Sequence, residues 1–253
     1  MAERQTSSRS SFSSTDELDG RASFVELFQR SPIPPEEQLG NLGLFIDRQT
    51  LSRLLFMHEV YRHILDVPGV VMEFGTRWGQ NLALFESFRG IYEPFNYTRK
   101  LIGFDTFEGF PSIHARDGAS DAVSEGGLSV TEGYVDYLAQ VLDHHEQESP
   151  ISHVAKYELV KGDVTATVPD YFAAHPETIV ALAYFDLDLY EPTRDCLEAI
   201  RPRLVKGSVI GFDELGHPDY PGETAALAEV LGLDRYRLVR TPLVPFPSYL
   251  VVE

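Results

Sequence analysis

The sequence contains very little cysteine, little positive charge and no long hydrophobic run. Cys196 is the only cysteine in 253 residues, so no internal disulfide can form and a reducing cytoplasm is the expected compartment. No apolar run approaches the ~18 residues that a transmembrane helix needs. The first six residues lack the apolar core of a secretory signal. We therefore expect a cytoplasmic protein without a membrane anchor.

Positive charge is scarce, with 21 Lys and Arg against 39 Asp and Glu and a net charge of −18. Nucleic acids and anionic membranes require basic surfaces, so we expect neither as a partner. A highly anionic substrate is also disfavoured, unless a metal ion or local arginines offset the negative field. The alternative is that most of the acidic surface serves only solubility. That alternative does not account for the acidic cluster described next.

Four acidic residues follow two apolar runs in the second half of the chain. They are Asp186, Asp188, Asp213 and Glu214. Each run suits a buried parallel strand, and the segment 193–204 between them has the spacing of an amphipathic helix. In a strand–helix–strand unit both strands end at the same sheet edge, where open α/β sheets bind ligands. Four carboxylates in one place repel each other unless a cation or protons intervene, so the sequence predicts a site there.

A glycine-containing turn follows the first apolar strand, which ends at Glu73. The turn reads Phe74-Gly75-Thr76-Arg77-Trp78-Gly79, and a helix comes next. Two glycines four residues apart let the backbone approach a ligand, and the helix N-terminus offers free amides. A second strand ends at Asp105, a position where an acid commonly binds ribose hydroxyls. The features together indicate a nucleoside-bearing ligand. The absence of G-x-G-x-x-G argues against a dinucleotide, so a dehydrogenase is the weakest alternative.

The organisation of the chain is predicted from changes in composition. Residues 1–20, rich in Ser, Thr and charge, are expected to form a disordered arm. Residues 21–66 are expected to form a helical extension, which contacts a partner subunit in a homo-oligomer or covers the substrate. Residues 67–253 form the main domain, with strands and helices in alternation and a closing antiparallel hairpin. The segment 106–150 exceeds an ordinary connection of about four to six residues and is expected to be a lid; the alternative is a solvated surface excursion.

These features resemble the class I S-adenosylmethionine-dependent methyltransferases. The predicted strands end in Glu73, Asp105, Asp163 and Asp186. The resemblance implies an α/β, Rossmann-like sheet of about seven strands, the last one antiparallel, with helices on both faces. More narrowly, three segments are similar to signatures of the macrocin O-methyltransferase family. Residues 105–111 resemble D-S-F-x-G-L-P, residues 162–169 resemble G-x-F-x-x-T-L-P, and residues 186–193 resemble D-x-D-L-Y-x-S-T.

The resemblance implies metal-dependent transfer of a methyl group from S-adenosylmethionine to a hydroxyl of a deoxysugar in antibiotic biosynthesis. An enediyne pathway such as that for calicheamicin is one setting it implies. One alternative is a catechol or phenol O-methyltransferase on the same scaffold. Leu189 argues against it, because related metal-dependent catechol enzymes usually carry a lysine there. A second alternative is a non-catalytic metal- or nucleoside-binding protein, which the four intact acidic residues disfavour.

Carried over by residue, the resemblance implies three sets of site residues. The cofactor set is Glu73, Gly75, Thr76 and Gly79 for the methionine part, Asp105, Thr106 and Phe107 for the ribose, Asp163 and Val164 for the adenine, and Asp186. The metal set, for a divalent cation with Mg²⁺ as first choice, is Asp186, Asp213 and Glu214. The catalytic set is Asp188 as general base, Asp186, and His217 as the less favoured base.

Two positions depart from the pattern of the family. Glu214 stands where the family usually has aspartate, so the coordination distance at the metal is open. The segment 221–224 replaces a Gly-Cys-Arg-like run, which removes an expected substrate contact and leaves the acceptor open.

Overall fold

The computed structural model describes residues 13–118 and 123–253. The helices are α1 Thr15–Gln29, α2 Pro35–Gln38, α3 Arg48–Arg62, α4 Gln80–Tyr92, α5 Tyr134–Glu148, α6 Val164–Ala174, α7 Tyr190–Ile200 and α8 Gly222–Val230. Short 3-10 segments occupy Leu39–Leu44 and Arg201–Arg203. The strands are β1 Val70–Phe74, β2 Leu101–Asp105, β3 Tyr157–Lys161, β4 Val180–Phe185, β5 Leu204–Phe212, β6 Val239–Arg240 and β7 Ser248–Val251.

The chain divides into two compact units, Met1–Arg53 and Leu54–Glu253. The sequence placed the start of the main domain later, at residue 67. The difference arises within α3, because Phe56 and Val60 on this helix are buried in the core of the second unit. A helix with buried apolar residues belongs to the domain that buries them, whatever the composition of the preceding segment.

The first unit corrects the prediction of a disordered arm over residues 1–20. Helix α1 begins at Thr15 behind a capping box, in which Ser14 accepts from the backbone of Glu17 and Glu17 accepts from the backbone of Ser14. Such a box satisfies free amides of the first turn and favours a helix despite the polar composition. Residues 1–12 lie outside the described part of the chain. The ring of Phe28 contacts Phe45 at 5.0 Å between centroids within this unit.

The second unit is built on a seven-stranded sheet in the order β3-β2-β1-β4-β5-β7-β6. Strands β1 to β5 run parallel, and β7 is antiparallel to both β5 and β6. The predicted closing hairpin is therefore confirmed, although β6 contains only Val239 and Arg240. The order changes direction between β1 and β4, and ligands bind open α/β sheets at this kind of switch point.

Helices cover both faces of the sheet, as predicted. Apolar side chains of α6, α7 and α8, among them Val168, Leu197 and Leu227, pack on one face. Side chains of α3, α4 and α5, among them Phe56, Phe85 and Leu142, pack on the other. Because both faces are covered, β1 and β4 are buried along their whole length, which explains their continuous apolar sequences.

The predicted lid segment, 106–150, contains α5 and residues 119–122, which lie outside the described part of the chain. Leu138 and Leu142 of α5 are buried in the core, so this helix is not a solvated excursion. Closure over the site stays a prediction. None of the helices in the described ranges has the length and hydrophobicity that a membrane crossing requires.

Candidate active site

The turn after β1 lies directly against the end of β4. Gly75 has a φ of +90°, and a Cβ there would come within 1.9 Å of the carbonyl oxygen of Asp186. Gly79 has a φ of +73°, and a Cβ there would meet Leu138 of α5 at 2.4 Å. Both positions therefore require glycine, for conformation and for space. The turn brings the start of α4 next to the acidic residues that follow β4.

Two predicted cofactor residues in this region are buried, Glu73 and Thr76. The Thr76 hydroxyl has no hydrogen-bond partner among the described residues. Buried polar groups are normally hydrogen-bonded, so an unsatisfied hydroxyl in a ligand-binding turn is a donor and acceptor available to a ligand. The prediction that these residues hold the methionine part of the cofactor is untested and stays a prediction.

Asp105 at the end of β2 links the glycine turn to the beginning of the lid segment. Its Oδ2 accepts from the backbone N–H of Arg77 at 2.7 Å, and its Oδ1 accepts from that of Phe107 at 2.6 Å. Burial raises the pKa of this carboxyl, and the two backbone hydrogen bonds oppose the rise. Each oxygen retains a second lone pair, which can accept from a ribose hydroxyl. Thr106 is occupied locally, since its hydroxyl donates to the carbonyl of Gly109 at 2.7 Å.

Asp163 has a local structural role in addition to its predicted contact with adenine. It is the N-cap of α6, and its Oδ1 accepts from the backbone N–H of Thr165 at 2.9 Å. The next residue, Val164, is buried in the core below the helix. An N-cap of this kind contributes about 1 kcal/mol to helix stability, so a substitution of Asp163 would affect folding as well as any ligand.

The two acidic segments meet at one sheet edge, as the sequence predicted. The backbone N–H of Asp186 donates to Phe74 of β1 at 2.8 Å, and that of Asp213 donates to Phe185 of β4 at 3.0 Å. Tyr184 donates its hydroxyl to Oδ1 of Asp213 at 2.6 Å. Both acidic segments are thus extensions of adjacent parallel strands, and their side chains share one region.

Asp188 stands out by its backbone conformation. Its φ is +62°, in the left-handed region, and its side chain is only 7% exposed. A non-glycine residue there carries conformational strain and persists only where its surroundings enforce it. Strain of this kind concentrates at functional positions, so the backbone independently marks the residue that the sequence predicted as general base.

Glu223 is a buried acidic residue that the sequence analysis did not assign to the site. Its Oε1 accepts from the backbone N–H of Leu187 at 3.2 Å, and its Oε2 accepts from that of Glu214 at 3.1 Å. Burial and the neighbouring carboxylates raise its pKa well above the ordinary value. The available signal was an acid at the start of an otherwise apolar helix, in the segment where the chain departs from its family.

The electrostatics of Glu214 show how concentrated the negative charge is. Burial, followed by the charges of Asp213, Asp188, Glu223 and Asp186, raises the pKa of Glu214 to about 10. Its Oε2 is buried without a hydrogen-bond partner in the described residues. Across 13–118 and 123–253, however, no three His, Cys, Asp or Glu side chains are arranged as a metal site. The ligand set Asp186, Asp213 and Glu214 therefore stays a prediction.

His217 is buried beside Glu214, but its ring is poorly placed to act as a base. Its Nδ1 accepts from the backbone N–H of Asp219 at 3.1 Å, which assigns the proton of the neutral ring to Nε2. Nε2 lies 3.8 Å from Oε2 of Glu214, and the ring packs on Phe246 with 4.2 Å between centroids. Burial lowers the pKa of the imidazole. Neither nitrogen presents a lone pair to a substrate proton in this arrangement.

The family model for the macrocin O-methyltransferases (TylF) matches residues 47–221, well over half of the chain. The chain belongs to this family. The macrocin O-methyltransferase model covers all of the predicted site residues from Glu73 to His217. Family and fold together identify an S-adenosylmethionine-dependent O-methyltransferase, which confirms the predicted family, fold and class of enzyme.

Solved structures agree with this family assignment. The calicheamicin methyltransferase CalS11 is 49% identical, over 94% of this chain and 93% of CalS11, with a TM-score of 0.92. A second structure, of apo CalS11 as a TDP-rhamnose 3'-O-methyltransferase, is 47% identical over 94% of this chain and 95% of that one, with a TM-score of 0.83. The O-methyltransferase NovP, 19% identical over 79% of each chain with a TM-score of 0.60, shows the shared fold alone. No curated protein sequence matches this chain.

Proposed function

We propose that the protein methylates a hydroxyl of a deoxysugar in antibiotic biosynthesis, with a TDP-activated deoxyhexose as the first acceptor to test. The similarity to CalS11, 49% identical over 94% of the chain, carries this proposal. A TDP-sugar is anionic, which the net charge of −18 disfavours unless a cation offsets the field near the site. The acceptor and the question of a metal ion are therefore linked.

Asp188 is the general base of this proposal. A sugar hydroxyl is a weak nucleophile, and a carboxylate of ordinary pKa, ~3.9, is a weak base for it. Proton removal must therefore accompany formation of the new oxygen–carbon bond, with Asp188 receiving the proton as the oxygen attacks the methyl group. The buried side chain of Asp188 and its enforced backbone conformation fix the direction of proton acceptance. The ring of His217, occupied as described above, is the less suitable base.

The residues at this sheet edge fit a divalent cation. Glu214 is burdened by four neighbouring carboxylates and has a buried oxygen without a hydrogen-bond partner among the described residues. Asp186, Asp213 and Glu214 are the proposed ligands, and an all-carboxylate set suits hard ions such as Mg²⁺ or Mn²⁺ rather than zinc. When bound, such an ion would supply Lewis-acid polarisation of the acceptor hydroxyl.

The cofactor is proposed to lie along the ends of β1, β2 and β3. S-adenosylmethionine supplies an electrophilic methyl group when bound. The turn from Gly75 to Gly79 and the buried Glu73 would hold its methionine part, and Asp105 would accept from its ribose. Asp163 and Val164 would border its adenine. The switch point between β1 and β4 then places the methyl group beside Asp186 and Asp188.

Methyl transfer to a defined acceptor tests the proposal. The protein is incubated with S-adenosylmethionine, Mg²⁺ and, separately, TDP-rhamnose, other TDP-deoxyhexoses, a sugar glycoside and a catechol. We expect mass spectrometry to show one added methyl group on a TDP-deoxyhexose. Preferred methylation of catechol would replace this proposal by the phenol methyltransferase alternative. Binding of S-adenosylmethionine without transfer to any acceptor would favour the non-catalytic alternative.

A homo-oligomer through the N-terminal extension is part of the proposal. Apolar side chains of the first unit are strongly exposed, with Leu39 at 77% and Leu44 at 63%. Exposed apolar groups of this kind are frequent in subunit interfaces. Light scattering of the full chain should give more than one subunit, and the double variant Leu39→Ser, Leu44→Ser should shift the mass toward the monomer. A monomeric wild-type protein would contradict this part.

A further inference from the structure

The segment that carries Asp188 is held from both sides by buried acidic side chains from other parts of the chain. On one side, Oε1 of Glu223 accepts from the backbone N–H of Leu187 at 3.2 Å. On the other side, Oδ1 of Asp117 accepts from the backbone N–H of Tyr190 at 2.6 Å. Glu223 is 0% and Asp117 is 1% exposed, so neither bond competes with water. Asp188 lies between the two restrained amides.

Each of these acids also has a second anchor. Oε2 of Glu223 accepts from Glu214 at 3.1 Å and thereby joins the acidic segment after β5 to the segment after β4. Oδ2 of Asp117 accepts from the backbone of His114 at 2.6 Å, which fixes the side chain within the lid segment. Because a carboxylate accepts through two oxygens, each side chain links two backbone segments without needing a donor of its own.

The start of α7 requires such help from outside. Its N-cap, Leu189, offers no side-chain hydrogen bond, so the N–H of Tyr190 would otherwise be a free helix amide. Asp117 satisfies it from a segment more than seventy residues earlier in the chain. A carboxylate at this helix end also lies favourably in the helix dipole. Close packing completes the arrangement, since a Cβ on Gly222 would lie 2.5 Å from the nitrogen of Tyr190 and 2.7 Å from the oxygen of Asp188.

We infer that Asp117 and Glu223 are positioning residues, which hold Asp188 in its left-handed conformation and so direct its carboxylate for proton acceptance. The inference rests on the proposed role of Asp188 as base. A φ of +62° is unfavourable for aspartate and relaxes when its flanking amides are released. Once the flanking amides are free, the carboxylate moves relative to the reacting oxygen. The lid segment contributes to catalysis through Asp117, independently of any closure over the substrate.

Isosteric amide variants test this inference. Asp117→Asn and Glu223→Gln keep the size of the side chain but turn an amide N–H₂ toward one of the two backbone donors. We expect kcat to fall about tenfold or more in each, because small misplacements of reacting groups cost up to ~10²-fold. KM for both substrates and the affinity for S-adenosylhomocysteine should stay within about twofold. The double variant should lose less than the product of the two effects, because both residues act on one segment.

Glu229→Gln provides the matched control. Glu229 also lies on α8 and accepts from the hydroxyl of Tyr190 and from Arg116, but it bonds no backbone amide of the Asp188 segment. Its kcat should equal that of the wild type. Hydrogen exchange measured by mass spectrometry supplies a readout that needs no turnover. Peptides containing Leu187 and Tyr190 should exchange faster in the two positioning variants and not in the control.

Unchanged kcat and unchanged exchange in both positioning variants would overturn the inference. So would a parallel loss of kcat, cofactor affinity and melting temperature, since that pattern reports general destabilisation. Failure of the proposed function is a separate result, seen as absent methyl transfer by the wild type. In that case the exchange measurement still decides whether the two acids restrain the segment.

Discussion

In the second unit, buried carboxylates occur between α4 and α5 and again at the ends of β4 and β5. Between the helices, Glu86 and Glu146 lie beside Arg89 and Lys156. Arg89 pairs with Glu146 and also donates to the carbonyl of Lys156 at 2.9 Å, while Nζ of Lys156 lies 2.6 Å from Glu146. All four side chains are buried. This cluster, the helix cluster, contains two acids and two bases.

The strand-end cluster, formed by Asp186, Asp188, Asp213, Glu214 and Glu223, has a different charge balance. The charges that act on Glu214 there are four carboxylates, and all of them raise its pKa. The helix cluster is neutralised within the fold, as expected for groups that link three elements of a core. The strand-end cluster keeps its excess of negative charge, which is unfavourable for stability and is expected where a ligand supplies the opposite charge. The contrast separates a structural cluster from a functional one.

Removal of the external cation should have the largest effect. We expect chelation with EDTA to reduce methyl transfer to background and added Mg²⁺ to restore it, since a Lewis acid contributes several kcal/mol to such steps. Asp213→Ala should be inactive at any Mg²⁺ concentration. Far-UV circular dichroism should show that chelated wild-type protein stays folded. Full activity after exhaustive chelation would remove the metal ion from the proposal.

Removal of an internal cation should act on stability instead. Arg89→Met leaves Glu86 and Glu146 with too little positive charge, and breaking a buried pair in this way costs about 3–5 kcal/mol. Urea denaturation at neutral pH measures the loss in free energy of unfolding. The control is Arg116→Met, which breaks an exposed pair with Glu229 and should cost about 0–1 kcal/mol. Equal losses in the two variants would show that the helix cluster is not a structural ion network.

Within the strand-end cluster, the amide variant of the base separates chemistry from binding. Asp188→Asn should reduce kcat by ~10²-fold or more, the usual contribution of a general base, equivalent to about 2.7 kcal/mol. Calorimetry should give nearly unchanged affinity for S-adenosylhomocysteine, because Asp188 is not among the proposed cofactor residues. The corresponding change in the helix cluster, Glu146→Gln, should lower stability and spare kcat in the folded protein. Near-normal turnover of Asp188→Asn would transfer the role of base to another group.

The sequence predicted those parts of the molecule that depend on local pattern. Continuous apolar strands, the glycine turn and the acids at strand ends each follow from residues within a few positions of one another, and the sheet and strand-end cluster agree with them. The polar start of the chain was wrong for residues 15–20, because the capping box of Ser14 and Glu17 favours a helix that composition does not indicate.

The contacts that the sequence could not predict join distant segments. Asp117 reaches Tyr190 and Glu223 reaches Leu187 only because the fold brings the lid segment and α8 to the end of β4. The same limit applies to the helix cluster, where Glu146 meets Arg89 across 57 positions of chain. A charged residue in a sequence gives no sign of whether it will be buried with a partner, so structural and functional acids look alike until the fold is known.

Glu86 gives the smallest expected effect and the finest test of the comparison. Burial raises its pKa to about 9, against the opposing charge of Arg89. A raised pKa in the folded state means that the native protein binds this proton more tightly than the unfolded chain. The stabilisation is therefore complete below the ordinary pKa, ~4.5, and is lost as the pH rises toward 9. Glu86→Gln removes the titrating group, so we expect its free energy of unfolding at pH 8 to exceed that of the wild type by at least about 1 kcal/mol. Urea denaturation from pH 5 to pH 9 should show the difference increase with pH, and a difference independent of pH would mean that Glu86 is ionised in the fold and paired with Arg89.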